Sequence, residues 1–179
     1  MKWFNFIEEI VKTILIAAII VIPIRTFIFQ PFLVRGSSME PNYYQGDYLI
    51  VDQLSYRFRE PERGEVVVFN SPQPTERRFI KRIIGLPGET ISLEEGILYV
   101  ENGEKKALDE GEYLTDETPG NFSETLGEDE YFVLGDNREA SLDSRSWGTL
   151  PQENIIGRVA IQVSPFSILA KATTFQITN

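Results

Sequence analysis

The sequence predicts a mainly β protein: a single N-terminal membrane helix, then an antiparallel sheet or barrel. Three observations carry that prediction. One uncharged apolar run, Thr13 to Ile24, stands near the N-terminus. Beyond Pro31, short runs rich in Val, Ile, Phe and Tyr alternate with period two. From Val34 onward, helical periodicity is absent.

The apolar run has Lys12 before it and Arg25 after it. Twelve helical residues rise only about 18 Å, against a bilayer core of about 30 Å. Its neighbours extend it: Trp3, Phe4, Phe6, Ile7, Ile10 and Val11 on one side, and Phe27 to Phe29 and Phe32 to Val34 on the other. Lys12 can snorkel, and Glu8 and Glu9 can sit at the interface. A membrane helix over about residues 7–26 is therefore expected, inside an anchor of residues 1–30. A cleaved leader suits the length, but no small-x-small pair follows the run. A buried core helix is the other alternative. Flanking charges barely orient the segment.

Strands are expected at Asp47–Leu54, Glu65–Asn70, Arg78–Ile84, Thr90–Leu93, Ile97–Glu101, Glu104–Leu108, Tyr131–Leu134 and Ile155–Val163. Gly64, Ser71-Pro72, Gly85 and Pro87-Gly88 punctuate them, and Asn102-Gly103 is a two-residue hairpin turn. They make up a β domain of residues 31–179, interrupted by an acidic excursion, residues 109–130, which reads as a flexible loop.

The net charge of −10 and pI near 4.6 argue against nucleic acid and against simple electrostatic docking on anionic lipid. There is no cysteine and no histidine. Thiolate chemistry, the Ser-His-Asp triad and most zinc sites are thereby removed. What remains is a carboxylate pair, a carboxylate-bound hard metal, a Ser or Thr activated by lysine, or no catalysis.

A lysine serves as a base only when burial lowers its pKa by disfavouring the charged form. Lys2 and Lys12 flank the apolar run, Lys105 and Lys106 lie among acidic residues, and Lys171 is in the C-terminal tail. Lys81 differs, because alternation puts it on one face with Phe79 and Ile83. Taken alone it reads equally well as an edge-strand charge that blocks aggregation. Gly36-Ser37-Ser38-Met39-Glu40-Pro41 offers a serine on irregular backbone with free amides, although by composition it is an ordinary junction. Gly135-Asp136-Asn137-Arg138, followed by Ser141, Asp143 and Arg145, is a turn with an i, i+2 ion pair. Arg138 and Arg145 oppose a cation there, so no metal is expected.

In this order the blocks resemble type I signal peptidases: the apolar segment, Ser38-Met39-Glu40-Pro41, Gly46 to Val51, Arg63 to Phe69, Phe79 to Gly88, and Gly135-Asp136-Asn137-Arg138 through Trp147-Gly148. The resemblance implies a membrane-bound serine endopeptidase with a β catalytic domain of the signal-peptidase type. It implies Ser38 as nucleophile, Lys81 as general base, and Ser141 as the serine that orients the lysine amine. Asp143 and Arg145 become a salt-bridged pair, Asp136 the partner of Arg82, and the Ser38 amide the oxyanion donor. Some members carry a serine where this chain has Gly36, which offers no side-chain donor. Phe32, Val34, Met39, Phe79 and Ile80 are expected to line pockets for small residues at the first and third positions before the cut. Also implied are signal peptides of preproteins and the lipid bilayer as partners, no cofactor, a monomer, and a single-pass cell-membrane location with the β domain on the outer face. A self-cleaving repressor-type protease shares the chemistry but lacks the anchor and the Gly-Asp-Asn-Arg block. A tethered β binding module needs neither Ser38 nor Lys81.

Overall fold

A computed structural model describes residues 2–23, 29–74, 76–114, 116–164 and 167–170. The first helix, α1, runs Lys2–Pro23. Twelve strands follow: β1 (Phe29–Leu33), β2 (Tyr48–Asp52), β3 (Val66–Asn70), β4 (Arg78–Gly85), β5 (Thr90–Glu94), β6 (Ile97–Asn102), β7 (Glu104–Ala107), β8 (Phe122–Thr125), β9 (Glu130–Leu134), β10 (Leu150–Pro151), β11 (Ile155–Ser164) and β12 (Ser167–Ala170). One turn of helix, α2 (Ser144–Trp147), lies between β9 and β10.

Every strand pairing is antiparallel. The large sheet runs β1-β2-β11-β3-β4-β9-β10, with β12 also on β11. The small sheet runs β7-β6-β5-β8. β4 passes through the middle of the large sheet and is buried from Lys81 to Gly85. Its alternation serves several layers at once. Phe79 and Ile83 join the cluster of Val67, Phe69, Tyr131, Val133 and Leu150, and Ile84 joins the cluster that the small sheet forms with Phe132 and Leu134. A third cluster, Val34, Met39, Tyr43, Leu49, Val51, Val66, Val68 and Val159, lies under the segment that carries Ser38.

Two expectations change. The excursion at 109–130 is built into the domain: β8 pairs with β5, and Tyr113, Thr118 and Leu126 are buried. Arg138 holds it, donating to Thr118 and pairing with Glu110 at 2.5 Å. An acidic composition conceals a strand whose pairing partner lies some thirty residues away. The membrane helix also differs. Among the described residues, no helix is long and apolar enough to cross a membrane. Glu8, Glu9 and Lys12 place three charges in the first half of α1. The uncharged remainder, Thr13–Pro23, rises only about 17 Å, roughly half of a bilayer core. Residues 24–26 of the expected span lie outside the described residues.

Candidate active site

Ser38 and Lys81 come from segments 43 residues apart and meet. Lys81 Nζ donates to Ser38 Oγ at 2.7 Å and to the Ile80 carbonyl at 3.0 Å. Lys81 is only 2% exposed, because β3 covers it on one side (Val67 is its register partner) and the Phe79 ring lies 5.8 Å from its nitrogen. Burial pushes the amine from 10.5 down to about 8. Asp143 and Asp136 pull it back up, and Arg145 pushes it further down. A protonated amine is poorly solvated there, so the neutral form is within reach near neutral pH.

The loop around Ser38 is held by several tight contacts. Gly36 sits at φ +90°, where only glycine is unstrained. Met39 is buried, and its carbonyl accepts from the Asn42 and Tyr43 amides. The Ser38 carbonyl accepts from the Asn137 amide at 3.0 Å, tying the serine to the Gly-Asp-Asn-Arg turn. Asn42 braces the same junction, donating to Asp136 at 3.0 Å and to the Tyr113 carbonyl at 2.8 Å.

Behind the pair, Arg82 makes two hydrogen bonds to Asp136, at 2.8 and 2.6 Å, and one to the Gly64 carbonyl. Asp143 caps α2 and accepts from the Gly135 amide at 3.0 Å, while Arg145 grips it at 2.8 and 2.9 Å. Both carboxylates are fully buried, a costly placement unless the partners are exact in position.

Beside Ser38 and Lys81 opens a cavity of about 150 Å³, walled by Phe32, Leu33 and Val34 of one chain segment, Leu49 and Val68, and Phe79 and Ile80 of another. A hydroxyl against a buried amine, beside a small apolar cavity along a strand, can perform acyl transfer on an extended peptide.

The family described as signal peptidase, peptidase S26, matches residues 7–164. The chain belongs to this signal peptidase family. A probable signal peptidase I-2 of Synechocystis is 42% identical over 163 residues, 88% of this chain and 73% of that protein. Signal peptidase I of Bacillus licheniformis is 34% identical over 176 residues, 93% of this chain and 94% of that one. A crystal structure of a signal peptidase I from Enterococcus faecalis is 33% identical and covers 56% of this chain and 97% of its own, at a TM-score of 0.48. That overlap is too loose to bear on the fold, which stands on its own strand pairing.

Set against the family pattern, Ser38 with Lys81, Arg82 with Asp136, and Asp143 with Arg145 are each brought together. Phe32, Val34, Phe79 and Ile80 line the cavity. Met39 does not: it points into the core with Val34 and Leu49, supporting the wall from behind. Ser141 also departs from expectation. Its hydroxyl is buried without a hydrogen-bond partner among the described residues and makes no bond to Lys81, whose amine is turned to Ser38 and the Ile80 carbonyl. Instead Ser141 packs over Gly135, where an added Cβ would collide with both Ser141 and the Ser38 carbonyl. Sequence reasoning missed Asn42, Leu49 and Val68. The last two read as ordinary strand residues, and only the order of the large sheet, with β3 beside β4 and β2 beside β1, brings them to the cavity.

Proposed function

We propose that this chain is a membrane-tethered serine endopeptidase that removes signal peptides from preproteins, with Ser38 as nucleophile and Lys81 as general base. The observation that carries the reading is the 2.7 Å contact between Lys81 Nζ and Ser38 Oγ at a lysine that is 2% exposed. Neutral Lys81 takes the Ser38 proton as Oγ attacks the carbonyl before the cut, and the ammonium then protonates the departing amine. Water hydrolyses the acyl-enzyme by the same base. The Ser38 amide, which donates no other bond among the described residues, faces the developing oxyanion as a backbone donor. The Arg82–Asp136 and Asp143–Arg145 pairs fix the two ends of the Gly135 turn against which Ser38 rests.

The substrate side chains before the cut pack against the apolar cavity wall of Phe32, Val34, Phe79 and Ile80, with small residues at the first and third positions and the peptide added as a strand along β4. α1 tethers the β domain to the bilayer, with that domain on the outer face. Apolar side chains cover α1 all round: Trp3, Phe6, Ile7, Ile10, Ile14, Leu15, Ile16, Ile19 and Val21 are all exposed. Lys12 pairs with Glu8 at 2.7 Å, which lessens the charge carried to the interface. α1 thus acts as the anchor and the β domain, from β1 onward, as the catalytic unit, working as a monomer.

The test is cleavage, by full-length protein in detergent, of a peptide with Ala at the first and third positions before the cut. Ser38→Ala and Lys81→Ala should each lose at least about a thousandfold in kcat, because nucleophile and base act as a unit. Activity retained by either variant would remove it from the assigned role.

A further inference from the structure

The charge around the cavity is unlike that of the chain. The protein carries −10 overall, yet every charged residue lining the cavity is basic: Arg35, Arg78 and Lys81. Arg59, Arg63, Arg82, Arg138, Arg145 and Arg158 are each ion-paired. Among the described residues, neither Arg35 nor Arg78 has an ion pair, and both are exposed. Arg78 is also placed: its guanidinium carbon lies 5.5 Å from the centre of the Phe32 ring, a wall of the cavity. A cation stacked on an aromatic keeps its N–H groups at the ring's edge, free to meet a planar acceptor.

We propose that Arg35 and Arg78 form a subsite for a carboxylate side chain on the substrate peptide, at the fourth residue before the cut. The proposal rests on the peptidase reading above and locates the subsite as follows. Arg78 precedes Lys81 by three residues on β4, about 10 Å at the usual rise. A peptide strand laid along β4 advances by the same rise, so with its first residue before the cut at Lys81, the fourth lies beside Arg78. Residues side by side on neighbouring strands share a face, so the fourth side chain projects on the side of Arg78, toward the exposed rim of the cavity. A guanidinium without an ionic partner there attracts Glu or Asp and repels Lys or Arg. Facing the peptide path from a cavity wall, Arg78 fits a side chain of the substrate better than a phosphate of the lipid surface.

The experiment uses full-length protein in detergent with three peptides that differ only at that fourth residue: Glu, Ala or Lys. With the natural enzyme, kcat/KM for the Glu peptide should exceed that for the Lys peptide about fivefold at low salt, and the gap should close in high salt. Arg78→Glu should reverse the preference, and Arg35→Ala should reduce it. Equal cleavage of the Glu and Lys peptides by the natural enzyme, or an unchanged ratio in Arg78→Glu, overturns the proposal. A parallel arm adds phosphatidylglycerol vesicles. If Arg78→Glu loses only their effect on rate and keeps the peptide ratio, the arginines serve the bilayer and the subsite is wrong. The Ala peptide separates this from the underlying reading, since cleavage of it that survives Ser38→Ala refutes the nucleophile and not the subsite.

Discussion

Replacing Lys81 by methionine should abolish cleavage and yet make the folded protein more stable at neutral pH. In the folded chain burial holds the amine at about 8, against 10.5 for a solvated lysine. Between those values the unfolded chain binds the extra proton, so stability rises with pH across the window and the full penalty applies below about pH 8. The penalty is roughly 3 kcal/mol. Methionine fills similar volume with no charge to desolvate. It forfeits the hydrogen bonds to Ser38 and the Ile80 carbonyl, worth about 1 kcal/mol each. The net gain at pH 7 is about 1 kcal/mol; it should fade above pH 8 and reverse before pH 10.5, where only the lost hydrogen bonds remain. Denaturant unfolding of the natural protein and Lys81→Met, in the same detergent at pH 7 and pH 10, measures both quantities. A variant less stable at pH 7, or a gain that does not change with pH, would refute the claim that burial of a reluctant charge lowers the lysine.

Three other outcomes follow from the same geometry. Because Lys81 titrates at about 8, kcat/KM should rise tenfold per pH unit below that value and level off above it; a profile flat from pH 6 to 9 would separate the base from this lysine. Gly135→Ala brings a methyl within 2.5 Å of the Ser38 carbonyl oxygen as well as against Ser141, so Ser38 must shift and kcat should fall about a hundredfold; a loss under threefold would mean the turn does not set the serine. Asp136→Asn leaves Arg82 buried without its counter-charge and should destabilise by about 3 to 5 kcal/mol; a change below about 1 kcal/mol in chemical unfolding would show that Gly64 and Asn42 suffice to hold that corner.

Much of the β domain was legible because alternation and turn residues are local signals. Arg78–Gly85 was readable from Phe79, Ile80 and Ile83 with a glycine stop, and Asn102-Gly103 marked its hairpin. β8 was not, since Phe122–Thr125 is mostly exposed and owes its strand form to pairing with β5. The reach of α1 was overestimated by weighing apolar residues above the charges at Glu8, Glu9 and Lys12. Phe29–Leu33 looked like the tail of the apolar run and is instead the edge strand beside β2.

By itself the sequence determined which chemistry was possible: with neither histidine nor cysteine, a serine hydroxyl needs another base, and only Lys81 stood among apolar neighbours. It could not decide whether that lysine is neutral or merely an edge charge. Only the tertiary structure shows that it is buried, with its pKa lowered to about 8, because desolvation depends on what covers a side chain from strands distant in sequence. β3, the Phe79 ring and the Ser38 loop together close over the amine. The same packing set Met39 behind the cavity wall and Ser141 against Gly135 without a bond to the lysine, since the direction of a side chain in an irregular loop is fixed by its neighbours in space and not by its spacing along the chain.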